Sequence, residues 1–152
     1  MQDCPWSIVQ LLPHGEPMIL LDRVVGYDEH QILAETKVRP DHPFATAEGV
    51  PAHLGIELMA QCCGAFNGCW ARATGGAAQI GFLLGTRRYQ AGRDHFALGE
   101  NLRISATLLF RDEEMGVFDC RISNALEILA NAQLSVYQPK DDATLQSLIA
   151  KS

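Results

Sequence analysis

The chain has 152 residues, 47% hydrophobic and 20% charged, the balance of one globular domain with its own core rather than of a disordered segment. A formal net charge of -6, from 18 acidic against 12 basic residues, disfavours general nucleic-acid binding, which needs clustered cations. The five cysteines Cys4, Cys62, Cys63, Cys69 and Cys120 are odd in number and form no CxxC pair, so a disulfide framework and a zinc site are both disfavoured and reduced packing thiols are expected.

MQDCPWSIVQLLPH has no basic stretch leading into an apolar one, so no secretory signal is read and the cytoplasm is the expected location. Trp6–Leu12 reads as one or two helical turns that end at Pro13-His14-Gly15. Met18–Tyr27 and Gln31–Arg39 read as a pair of strands. In the second, Ile32, Ala34, Thr36 and Val38 alternate with Leu33, Glu35 and Lys37. Pro40–Val50 is a loop rich in Pro, Asp, His and Gly. Pro51 suits the first position of a long helix that runs to about Thr74, where Gly75-Gly76 stops it. After it the period is two, with strands expected at Ile80–Gln90, Leu98–Arg111, Gly116–Ser123 and Glu127–Gln138 and a charged hairpin loop at Asp112–Gly116. The clearest alternation sets Leu102, Ile104, Ala106, Leu108 and Phe110 against Arg103, Ser105 and Thr107. Residues 1–138 form one domain in this reading, and 139–152 a tail or short docking helix. One buried helix followed by antiparallel strands implies an α+β domain whose sheet, of about five or six strands, wraps the helix. The open sheet edge leaves room for a second subunit.

Between Pro51 and Ala71 the only charged side chain is Glu57. The segment has the length of a membrane span, yet Glu57, His53, Gln61, Asn67, three glycines and a proline argue for a core helix instead. A helix apolar on nearly every face is buried, and a carboxylate carried inward with it needs a partner or a raised pKa. A shielded acid held near neutrality is what proton transfer requires, and His42 supplies an imidazole nearby in sequence. The plainer alternative is a carboxylate that caps a backbone or pairs with an arginine.

Three segments resemble the hotdog-fold 3-hydroxyacyl-[acyl carrier protein] dehydratases: Leu12-Pro13-His14-Gly15-Glu16-Pro17-Met18-Ile19-Leu20-Leu21-Asp22-Arg23-Val24, Val50-Pro51-Ala52-His53-Leu54-Gly55-Ile56-Glu57-Leu58-Met59-Ala60-Gln61, and Phe96-Ala97-Leu98-Gly99-Glu100-Asn101-Leu102. The likeness covers roughly residues 10 to 138. It implies a hotdog fold and a loop histidine, His42, that removes the proton beside the thioester carbonyl. It also implies that Glu57 protonates the departing hydroxyl and that a backbone N–H at Ala52, in the family's glycine position, stabilises the thioester oxygen. In the family the two catalytic residues come from different subunits. Fifteen positions separate His42 from Glu57, one more than the family pattern, and His42-Pro43-Phe44-Ala45 replaces His-Phe-Pro-Gly. A narrower likeness, to the predicted dehydratases of aryl-polyene synthesis, rests on Gly49-Val50-Pro51-Ala52, Gly81-Phe82-Leu83-Leu84-Gly85-Thr86-Arg87-Arg88-Tyr89 and Val136-Tyr137-Gln138-Pro139.

The expected substrate is a 3-hydroxyacyl thioester on acyl carrier protein or coenzyme A, with no external cofactor and no metal. The expected assembly is a homodimer, or a heterodimer with another hotdog subunit. His53 and Gln61 are candidates for the substrate pocket, and Arg87, Arg88 and Arg93 for docking an acidic carrier. His53 stands four residues before Glu57 and offers an alternative base or one of two metal ligands, neither favoured without a third partner. His14 is read as structural, His30 and His95 as surface loop residues, and Gly64 and Gly68 as allowing close helix packing. Two rivals stand beside dehydration: an acyl-thioesterase, and a non-catalytic hotdog subunit that stabilises an active partner.

Overall fold

The computed structural model describes residues 1–12, 19–76, 82–112 and 114–137. In chain order the elements are β1 (Gln2–Asp3), α1 (Ile8–Leu11), β2 (Arg23–Tyr27), β3 (Gln31–Lys37), β4 (Val50–Pro51), a 3-10 turn (Ala52–Leu54), α2 (Gly55–Ala73), β5 (Phe82–Ala91), β6 (His95–Phe96), β7 (Asn101–Asp112), β8 (Met115–Ser123) and β9 (Ile128–Tyr137). Seven strands form one antiparallel sheet in the order β1-β2-β3-β7-β8-β9-β5, and β4 pairs with β6 in a small second sheet. Six of the seven strands are long and β1 has two residues, so the expected α+β architecture holds. The proposed tail and the Pro13-His14-Gly15 turn lie outside the described residues.

The sheet wraps α2, which packs on β3, β7, β8 and β9. Inward positions follow from the two-residue period: Ile32 and Ala34 on β3, Ile104 and Ala106 on β7, Phe118, Cys120 and Ile122 on β8. Against them stand Met59, Cys62, Cys63 and Phe66 of α2, all buried, with the rings of Phe66 and Phe118 edge to face at 5.7 Å. Each such side chain contributes ~1.5–3 kcal/mol on burial. Cys63 and Cys120 bring their sulfurs to 3.6 Å, a packing contact well beyond a bond of about 2.05 Å.

The alternation read along β7 stops early. Leu102, Ile104 and Ala106 are buried, but Leu109 and Phe110 are both 54% exposed. A bulge explains the change: Leu108 pairs with Phe118 and Phe110 with Val117, so one extra residue resets the phase.

Helix α2 starts at Gly55 and not at Pro51, because Ala52–Leu54 wind more tightly first. It ends as expected. The Gly75 N–H donates to the Arg72 carbonyl at 3.1 Å and the Gly76 N–H to the Ala71 carbonyl at 2.7 Å, with Gly75 at φ +86, a left-handed stop suited to glycine. A Cβ on Gly68 would collide with the Leu11 carbonyl oxygen, so this glycine lets α1 lie against α2. None of the described helices is long and apolar enough to cross a membrane.

Candidate active site

Glu57 is the third residue of α2. The core-facing stripe of the helix passes through Leu58, Met59, Cys62 and Phe66. Glu57 flanks that stripe and is half-buried in the single chain, not sealed within the core. One turn later stands Gln61, 2% exposed. The Leu20 N–H donates to Gln61 Oε1 at 2.8 Å, and Gln61 Nε2 donates to Glu57 Oε1 at 3.2 Å. A backbone N–H can only donate, so the bond to Leu20 dictates which end of the amide meets the carboxylate. Gln61 was expected to line the substrate pocket. It is buried and engaged on both sides, and the four-residue spacing is what lets it reach the carboxylate.

The head of α2 is pinned from two directions. Strand β4 pairs Val50 with Phe96 and Pro51 with His95, which brings the Asp94 carbonyl to the Ala52 N–H at 2.8 Å. The expected oxyanion donor is therefore already occupied, because β4 and β6 pair immediately before it. The Ala52 carbonyl in turn accepts from the Tyr89 hydroxyl of β5 and from the Gly55 N–H. Burial raises the Tyr89 pKa, so the hydroxyl remains a donor at neutral pH. The β4–β6 pairing also needs Gly49 (φ +115), where a side chain would run into the Phe96 backbone. His95, expected in a surface loop, lies instead in β6 and is half-buried because that strand pairs with β4, and its Nε2 is 3.6 Å from Glu48 Oε2.

His42 sits in the loop between β3 and β4. The contacts that shape it are local: its N–H donates to the Arg39 carbonyl at 3.1 Å, and its own carbonyl accepts from the Ala45 N–H at 3.0 Å. The Phe44 N–H donates to its Nδ1 at 3.1 Å, which sets the neutral ring with its proton on Nε2. Burial lowers the His42 pKa below the ordinary histidine value, against a smaller upward pull from Asp41. The ring lines a small apolar cavity with Leu20, Val50, Leu58 and Phe96. That cavity joins it to the helix residue after Glu57 and to the residue whose N–H holds Gln61. Within one chain, and among the described residues, no hydrogen bond or ion pair connects His42 to Glu57.

His53 is exposed on the 3-10 turn. Arg87 and Arg88 are exposed on β5, whereas Arg93 donates to Glu100 at 2.9 Å and lies 3.7 Å from Glu127. Of the three arginines expected to dock a carrier, Arg93 is thus the one ion-paired to Glu100 and Glu127. On Glu100, burial pushes the pKa up, but hydrogen bonds from Asn124 and the Ala97 N–H and the Arg93 guanidinium outweigh it, leaving the carboxyl below its ordinary value. Among the described residues no group of three or more His, Cys, Asp or Glu side chains could hold a metal ion. Tyr89 and Asp94 are the parts of this arrangement that sequence reasoning gave no role. Tyr89 lies in a quoted motif, but nothing in that motif marks its contact with Ala52.

A family model described as ApeP dehydratase matches residues 6–149. The solved dehydratase heterocomplex ApeI:P of Xenorhabdus doucetiae contains a chain similar to this one at 31% identity and a TM-score of 0.87, over 95% of this chain and 97% of that chain. The 3-hydroxyacyl-[acyl-carrier-protein] dehydratase FabZ of Halorhodospira halophila is 38% identical over 64 residues, covering 38% of this chain and 42% of that protein, so the match spans less than half of the curated relative's length. The PaaI protein of E. coli, at 15% identity and a TM-score of 0.59 over 78% of this chain and 79% of that chain, shows the fold alone. The chain thus belongs to the ApeP-like dehydratase family.

Proposed function

We propose that Glu57 and His42 carry the dehydration of a carrier-bound 3-hydroxyacyl thioester, at a site shared with a second hotdog subunit. An imidazole takes the proton beside the thioester carbonyl, and the electron pair left behind closes the carbon–carbon double bond. The hydroxyl departs as water with the proton from the Glu57 carboxyl. Negative charge on the thioester oxygen falls to an N–H at the head of α2. With Ala52 already bonded to Asp94, the His53 N–H is the next donor along the turn. The observation that carries this reading is the Leu20–Gln61–Glu57 relay, which holds a single carboxylate at the entrance of a buried helix. Arg87 and Arg88 meet the acidic carrier.

A second reading is favoured by one contact. The basic lone pair of the His42 ring, on Nδ1, is engaged by the Phe44 N–H, so the ring must release that contact before it can take a proton from the substrate. In a heterodimer the working base would then come from the partner, and this chain would supply Glu57 and the frame around it.

The test is turnover of 3-hydroxyacyl and saturated acyl thioesters by the chain, alone and with its hotdog partner. Enoyl thioester is expected from the first substrate only, and Glu57→Gln is expected to lower its formation about 10²- to 10⁴-fold without changing the melting temperature. Hydrolysis of the saturated ester as the sole activity would overturn the proposal in favour of a thioesterase.

A further inference from the structure

Strand β5 departs from regular pairing at two places, between Leu83 and Gly85 and between Arg87 and Gln90, and the second bears on the site. Arg87 faces Gln133 and Gln90 faces Asn131, so Arg88 and Tyr89 together stand opposite Ala132. Ala132 is buried and Asn131 exposed. A regular register would set Arg88 on the inner face, opposite Ala132, and Tyr89 on the outer face, opposite Asn131. The extra residue exchanges them: Arg88 is exposed and Tyr89 half-buried. Arg88 has φ 57, a left-handed backbone that is unfavourable for a side-chain-bearing residue and persists where the surroundings fix it. Bulges of this kind re-aim a side chain.

The re-aimed side chain reaches the head of α2. Its hydroxyl donates to the Ala52 carbonyl, while the Ala52 N–H is held by Asp94, so both backbone groups of one residue are fixed by other elements. Gly55 gives a second, independent sign. Its backbone is ordinary right-handed helix, φ -56 and ψ -32, and glycine is less favourable than alanine in a helix, so no dihedral requires it. A Cβ there would strike the Tyr89 hydroxyl and crowd Ile122. Space for that hydroxyl accounts for the glycine.

We propose that Tyr89 is a positioning residue for the dehydration: turned inward by the Arg88 bulge, it fixes the Ala52–Leu54 turn from which Glu57 is presented and whose N–H groups face the thioester oxygen. The inference deepens the proposed function and rests on it. The test uses Tyr89→Phe, Gly55→Ala and the double variant, each assembled with the hotdog partner and assayed on a carrier-bound 3-hydroxyacyl thioester. Tyr89→Phe is expected to lower kcat about 10- to 100-fold with little change in KM. Amide exchange at residues 53–55 is expected to accelerate while that of Ile104 and Phe118 stays as in the parent. Gly55→Ala is expected to lower kcat as well, and the double variant to be no worse than the poorer single one, since both act through one contact. An unchanged kcat in Tyr89→Phe, beside an active parent and an inactive Glu57→Gln, would overturn the positioning role and leave the proposed function standing. Exchange that accelerates uniformly across the sheet would reduce Tyr89 to a general packing role and overturn the proposal too. An inactive parent would remove the proposed function and this inference together.

Discussion

The head of α2 and the loop that carries His42 are held in opposite ways. Around Glu57 the restraints come from distant elements: Leu20 on Gln61, Asp94 and Tyr89 on Ala52. Around His42 they come from within the loop itself, from Arg39, Phe44 and Ala45. A group fixed by several remote elements keeps its place as long as the fold persists, whereas one fixed by its own neighbours can turn without disturbing the sheet. The head of α2 is therefore part of the frame, whereas the His42 loop holds its shape through its own backbone and the Phe44 N–H.

The strongest way to break this contrast is Gln61→Leu. It leaves the Leu20 N–H without its acceptor and Glu57 without its donor. We expect a loss of about 1–3 kcal/mol in stability, read by denaturant unfolding, together with a fall of about tenfold or more in kcat from the misplaced acid. Unchanged turnover would mean that the relay does not orient the carboxylate.

A smaller effect separates the three arginines. Arg87→Glu is expected to raise KM for the carrier-bound thioester about fivefold, as befits one exposed charge worth ~1 kcal/mol, and to lose that effect at high salt. Arg93→Ala, already committed to Glu100, should leave KM alone. Equal effects of the two would restore Arg93 to the docking set.

The smallest concerns pH. Burial favours the neutral form of His42, so a base at this position stays competent somewhat below the ordinary histidine value of about 6.5. The acidic limb of the kcat/KM profile is expected below that value, and to shift or vanish in His42→Ala. A limb above it would assign the base to another residue.

What could be read from the chain follows the same divide. The long helix, its Gly75-Gly76 stop, the β7–β8 hairpin and the alternation of Leu102, Ile104 and Ala106 are local patterns, and they survive in the fold because packing agrees with them. The family and its reaction class were legible as ordered motifs. The bulges at Leu109 and Arg88 were not: nothing about these residue types marks an extra position, and each alters which side chains face inward. Nor could the occupied Ala52 N–H be foreseen, because it depends on β4 meeting a segment some forty residues later. Arg93 looked like a free cation beside Arg87 and Arg88 until Glu100 and Glu127 came within reach. Gln61 was visible as a spacing, but its role needed the N–H of Leu20.

The shared site is tested most directly by a crystal structure of the chain assembled with its hotdog partner, reading the separation between the Glu57 carboxylate and the nearest imidazole across the interface. The account predicts a histidine poised over the same substrate channel, with each catalytic group within hydrogen-bond reach of the substrate, about 2.6–3.2 Å, or one water away. An interface that covers Glu57 with apolar side chains alone, or leaves it open to solvent, would contradict it.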